Sequence, residues 1–98
     1  MDFLGFDWDK GNREKCLKHG VTTQDIETLF SKPLLVINDP HNQTAERRFR
    51  AIGQTTDRRF IFVVFTLRNG TIRPIRARFM HQKEIRRYEK DNPQLQER

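Results

Sequence analysis

The sequence predicts an α+β domain: two N-terminal helices, an antiparallel β-meander of about four strands, and a C-terminal helix. Three observations predict it. Residues 9–31 carry apolar positions at helical spacing between capping signals, residues 34–79 break into strand-like apolar runs, and Asn69-Gly70 lies between the last two runs.

Asp9 is placed to cap a first helix that runs to Lys18 or His19 and stops at "KHGV". Basic residues in the last turn suit the helix dipole, and Gly20 can take the left-handed conformation that ends helices. Val21 returns towards Cys16 and also serves as the hydrophobic staple of a second helix. In that helix Thr22 is the N-cap, Asp25 the capping-box acid and Ile26 the staple's other end. Ile26, Leu29 and Phe30 form its buried stripe, and Pro33 ends it. Strand patterns follow: "LLVIN", a polar loop "DPHNQTAE", then "RRFRAIGQT", "RFIFVVFTL" and "TIRPIRARF". Asn-Gly best fits a two-residue type I′ hairpin, so the third and fourth strands should pair directly. The third, Phe60 to Leu67, is apolar at nearly every position, as expected of a central strand buried on both faces. Pro74 lacks an amide to donate, which makes the fourth strand an edge or bulges it there. "QKEIRRYEK" gives a short helix with Ile85 and Tyr88 on one face and Arg86 and Arg87 turned outward. Asn92 and Pro93 close it, and residues 94–98 read as a frayed tail on a single domain spanning 1–98.

With 98 residues, 35% of them hydrophobic and eight of them Phe, the chain can bury one small core. No apolar run approaches the roughly 20 residues that span a bilayer, and the N-terminal "MDFLGFDWD" is acidic and short, unlike a signal peptide. A cytoplasmic protein with no membrane association is expected. The single cysteine, Cys16, excludes an internal disulfide and fits a reducing compartment; no metal site and no cofactor are expected.

The formal net charge is +6, and it is unevenly placed. Residues 1–40 hold 5 Lys and Arg against 7 Asp and Glu, whereas residues 41–98 hold 14 against 6. Arg outnumbers Lys 13 to 6, and its planar fork matches phosphate and carboxylate bidentately. A polyanionic partner, nucleic acid or an acidic protein, is the inference. Alternate strand residues share a face, so Arg76 and Arg78 point together about 7 Å apart while Arg73 points away. Arg48 and Arg50 share a face in the second strand, with Arg47 on the other. If both sets face one cleft they form a phosphate clamp. The plainer reading has each arginine lying along the sheet margin and pairing with Glu46, Asp57, Glu84 or Glu89.

Candidates for proton transfer are few. Histidine ordinarily changes charge near neutral pH, which makes His19 the best base or acid, with Lys18 beside it as an electrostatic partner. Capping alone also explains a Lys-His-Gly helix end. His41 and His81 read as turn and pre-helix residues, Trp8 as core, and Tyr88 as a half-buried packing residue able to donate a proton. No P-loop, metal-ligand spacing or Ser-His-Asp order is present.

Several separated segments resemble one family. "FDWDKGN", "KHGVTTQDIETLF", "DP" followed by "ERRF", "FVVFT" and "IRARFMHQKEIRRYE" are similar to the BrnT toxins of type II toxin-antitoxin systems, which are small RelE-like ribonucleases. The match runs from about Phe6 to Glu89, and this chain has "IRAR" where the family pattern has "ISAR". The resemblance implies a RelE-like fold and a metal-independent endoribonuclease that stops growth and translation by cutting RNA. It also implies a small DNA-binding, BrnA-like antitoxin that masks the basic face, with operator DNA reached only through it. The family pattern points to Lys18, His19 and Gly20, to Glu46 and Arg48, to Arg78, and to Glu84, Arg87 and Tyr88. Taken with the chemistry, His19, Lys18, Arg78 and Tyr88 are the expected catalytic residues, and Arg48, Arg50, Arg76 and Arg87 the expected substrate-binding ones. The alternative is a basic module that binds nucleic acid or protein without chemistry.

Overall fold

The computed structural model describes residues 3–32, 34–39 and 46–91. The expectations for Pro33, the His41 loop, the Asn92-Pro93 stop and the tail at 94–98 lie outside these residues. Helices α1 (Lys10–Leu17) and α2 (Thr23–Leu29) precede strands β1 (Leu35–Asn38), β2 (Phe49–Gln54), β3 (Phe60–Arg68) and β4 (Thr71–Phe79), and helix α3 (Gln82–Asp91) follows. The strands form one antiparallel sheet in the order β1-β2-β3-β4.

Local chemistry sets each boundary. Asp9 caps α1 through a reciprocal box with Asn12, whose side-chain amide also donates to Asp7 O and, 2.8 Å away, to Pro74 O. That last bond ties α1 to β4. The helix ends at Lys18, followed by Gly20 at φ +85°. Thr22 and Asp25 form the second capping box. Asn69 and Gly70 both have positive φ, as a type I′ hairpin requires. At α3, His81 is the cap: its carbonyl accepts from Ile85 N–H, and its own N–H donates to Glu84 Oε1 at 2.8 Å.

The two faces of the sheet differ in composition. Ala51, Ile61, Val63, Phe65, Ile72 and Ala77 look towards α1 and α2 and share a core with Cys16, Val21, Ile26, Leu29 and Phe30. Burial pushes the Cys16 thiol up to about 11, so it stays protonated inside this core. Trp8 packs at the core's margin, half-buried rather than central, because its indole N–H donates to Glu27 Oε2 at the surface. On the opposite face Ile52, Phe62 and Val64 form a smaller cluster covered in part by Ile75, Met80 and Tyr88.

One register feature overturns a sequence expectation. Val64 pairs with Arg76 but Phe65 pairs with Pro74, so Ile75 is the extra residue of a β-bulge. Simple alternation sends Arg73 to the face opposite Arg76 and Arg78. The bulge cancels that offset: Arg73, Arg76 and Arg78 sit across from Thr66, Val64 and Phe62, which alternate on one face. Pro74 therefore marks both an edge strand and a bulge. Over its first half this edge is met by the N-terminal segment, where Phe6 bridges Ile72 in parallel.

Candidate active site

The second face collects the arginines. Arg50 and Arg76 flank Val64 from β2 and β4, and Arg78 sits across from Phe62. Arg48 lies two residues before Arg50, on the same side by alternation. The apolar column of β3 is the floor, and cations on the neighbouring strands reach over it. Both the Arg50 and the Arg78 guanidiniums lie 4.5 Å from the Phe62 ring centroid.

Arg50, Arg76 and Arg78 line one cleft of about 410 Å³, and His19 enters it from the end of α1. Two of the three guanidiniums are held internally. Arg78 forms a fork with Glu84, Nη1 to Oε1 and Nη2 to Oε2 both at 2.9 Å, and Nη1 also donates to Phe79 O. This pair raises the Arg78 pKa and lowers that of Glu84 to about 2, where the Arg78 hydrogen bond dominates and the His81 N–H adds to it. Arg50 reaches buried Asp39 at 3.3 Å. Arg76 is exposed and has no carboxylate partner among the described residues. Some of the cations are thus neutralised at the margin, as the plainer reading expects, and one is left open.

Not every expected residue comes to this cleft. Arg48 lines a second one, further along the same face, with Arg68, Arg73, Lys10 and Lys15. The four-arginine clamp expected from sequence is therefore divided between two clefts, because Arg48, just before β2, and Arg50 within it sit about 7 Å apart along the extended chain. Lys18 is the exposed cap residue of α1 and does not line the cleft, and Arg87 is exposed on α3. Tyr88 packs on the Ile52, Phe62 and Val64 cluster, on the same face of the sheet as the cleft but outside its lining. Burial pushes its hydroxyl pKa up to about 12, against a smaller opposing effect of the Arg50 charge.

Sequence reasoning missed Phe62, which joins two guanidiniums, and Asp39, which anchors one. Phe62 was hidden by its surroundings, since a Phe in an all-apolar strand reads as core. Its signal is positional: it shares a face with the even-numbered β3 residues opposite the arginines.

A shallow cleft edged by guanidiniums and an imidazole suits an extended polyanion, whose phosphates need several separated donors. A small basic α+β domain with such a cleft is suited to act on a nucleic-acid backbone. Comparison with family models agrees, and is more specific: residues 8–84 match the ribonuclease toxin BrnT of type II toxin-antitoxin systems, and the chain belongs to that family. No curated protein matches the chain. Membership makes it a toxin with ribonuclease activity, RNA its substrate and an antitoxin its partner. Among the described residues no helix is long and apolar enough to cross a membrane.

Proposed function

We propose that the cleft lined by His19, Arg50, Arg76 and Arg78 is where RNA is cut, by attack of a ribose 2′-hydroxyl on the adjacent phosphate. The observation that carries this reading is the placement of Arg76, with no carboxylate partner among the described residues, next to Arg78 on β4 and across Val64 from Arg50, in the same cleft as an imidazole. A base takes the 2′-hydroxyl proton, the 2′-oxygen bonds to phosphorus, and the bond to the 5′-oxygen breaks as that oxygen is protonated. The products are a 2′,3′-cyclic phosphate and a free 5′-hydroxyl. His19 is the proton carrier and Lys18, beside it, supports it electrostatically. Arg76 meets the extra charge of the phosphorane, with Arg50 and Arg78 held ready by Phe62 and their carboxylates. Tyr88, neutral at physiological pH, supports the floor and is the reserve proton donor; Arg87 contacts RNA outside the cleft.

The donors gathered here are guanidiniums and an imidazole, and among the described residues no group of three His, Cys, Asp or Glu is arranged to hold a metal ion. These side chains can complete the reaction by proton transfer and fixed charge, so the reading is a metal-independent one. The antitoxin, a small DNA-binding protein of the BrnA kind, covers the arginine face, and operator DNA is reached through it. The site of action is the cytoplasm, where RNA and antitoxin are made.

The test is digestion of RNA in EDTA by wild type, His19→Ala and Arg76→Ala. Each substitution is expected to slow cutting about 10²-fold to 10³-fold. Undiminished cutting by both variants sinks the site, and cutting that needs added metal sinks the mechanism. The internal pairing of Arg50 and Arg78 favours a second reading, a basic module that binds without chemistry, and wild-type protein that binds RNA and leaves it intact would establish it.

A further inference from the structure

The second cleft, about 530 Å³, lies beyond the first along the same two strands. Residues 73–75 of β4 line it where residues 76–78 line the first, and Arg48, just before β2, takes the place of Arg50. Helix α1 borders both clefts, with Lys10 and Lys15 at one and His19, just past its end, at the other. The Ile75 bulge keeps Arg73 and Arg76 on one face, so the cationic surface does not break between the two.

The charge of the second cleft is only partly cancelled. Arg68 pairs with Glu46 at 2.8 Å, and Arg73 pairs with Asp9 at 2.7 Å and Asp7 at 3.5 Å. Lys10, Lys15 and Arg48 form no ion pair among the described residues, although the Glu46 charge acts on Arg48. The Arg48 Nε is buried and has no acceptor there, and so is the Arg50 Nε. A buried N–H without an acceptor is costly, and an anion is the acceptor that both neutralises and satisfies an arginine.

We propose that this second cleft binds the RNA backbone next to the cleavage point, holding the phosphate of a neighbouring nucleotide on Arg48, Lys10 and Lys15. The inference rests on the first cleft being the cleavage site. An RNA chain carries a charge at every nucleotide, so a strand leaving the first cleft along the sheet meets the second. Arg48, just before β2, and Arg50 within it are about 7 Å apart along the extended chain, close to the separation of consecutive phosphates in an extended single strand. The second cleft therefore sets how long a substrate must be.

The experiment measures binding of 2′-O-methyl RNA, which cannot be cut, as dinucleotide and as hexanucleotide. Anisotropy is followed over a series of salt concentrations with wild type, the Lys10→Gln/Lys15→Gln double variant, and Arg48→Gln. Both lysines are exposed, so the double variant keeps the test informative should Arg48→Gln fold poorly. Wild type is expected to bind the hexanucleotide about tenfold or more tighter than the dinucleotide. In the variants that gain shrinks at least about fivefold, and the salt slope falls by about 0.7 for each phosphate no longer neutralised. A length gain unchanged in the folded variants overturns the inference, as does wild type with no length gain. Failure of the cleavage reading is separate, seen as unmethylated RNA left intact while the methylated series still binds with its length dependence.

Discussion

The two faces of the sheet are made by the same four strands and do opposite work. The face towards α1 and α2 is apolar from edge to edge, and Ile61, Val63 and Phe65 are fully buried in its middle. The other face has a smaller apolar cluster around Ile52, Phe62 and Val64, while Arg50, Arg73, Arg76 and Arg78 on the flanking strands, and Arg48 just before β2, surround it with charge. A charge on the central column would be desolvated, whereas one on a flank can lay its stem over the apolar floor and keep its head in water. One face holds the fold together and the other is free to specialise.

The contrast between the faces breaks first, and most visibly, at Phe65. It is fully buried and touches Phe30 and Phe49 edge-on or tilted, with centroids 5.2 Å and 5.5 Å away. Phe65→Ala is expected to lower unfolding free energy by about 3–5 kcal/mol, read as a shift in urea midpoint. A loss below about 1 kcal/mol would mean that the helix-covered face does not carry the stability assigned to it.

A smaller effect is expected on the arginine face, at Glu84. Its carboxyl lies at about 2 instead of the ordinary 4.5, so folding favours the ionised form. The sign follows from linkage: the stabilisation is complete above about pH 4.5 and is lost as pH falls towards about 2. Glu84→Gln should therefore be less stable than wild type at neutral pH, with the gap closing through that acid window. A gap that stays constant with pH would show that the Arg78 fork adds nothing to stability.

Phe62→Leu gives the smallest effect and the finest discrimination. It keeps an apolar floor but removes the ring beneath two guanidiniums, each contact worth about 0.5–1 kcal/mol at an exposed site. RNA binding should weaken a few-fold to about tenfold, with thermal stability shifting less than in Phe65→Ala. Equal losses of stability at the two phenylalanines would erase the distinction between the faces.

The elements were legible because their signals are local. Asp9 and Asn12, Thr22 and Asp25, Gly20, and Asn69-Gly70 each act within four residues, so caps and turns can be read from neighbours in sequence. The candidate site was legible only in part. That Arg76 and Arg78 share a face follows from period-two alternation, but the face of Arg73 depends on one extra residue in register, which Pro74 hinted at and the pairing of β3 with β4 decided. The partners of the cations were likewise out of reach. Glu84 lies six residues from Arg78, close enough to suspect, but Asp39 meets Arg50 and Asp9 meets Arg73 through sheet packing and the docking of α1.

What the chain determined by itself was the sequence of helices and strands, the apolar face that joins them, and the excess of arginine in its second half, since each depends on residue type and short-range spacing. What only the tertiary structure decided was which arginines meet. Register, one bulge and the approach of α1 place His19 with Arg50, Arg76 and Arg78 and send Arg48 to the neighbouring cleft. Charge acts through space over several ångströms, and distances across a sheet are not written in the order of residues along a strand.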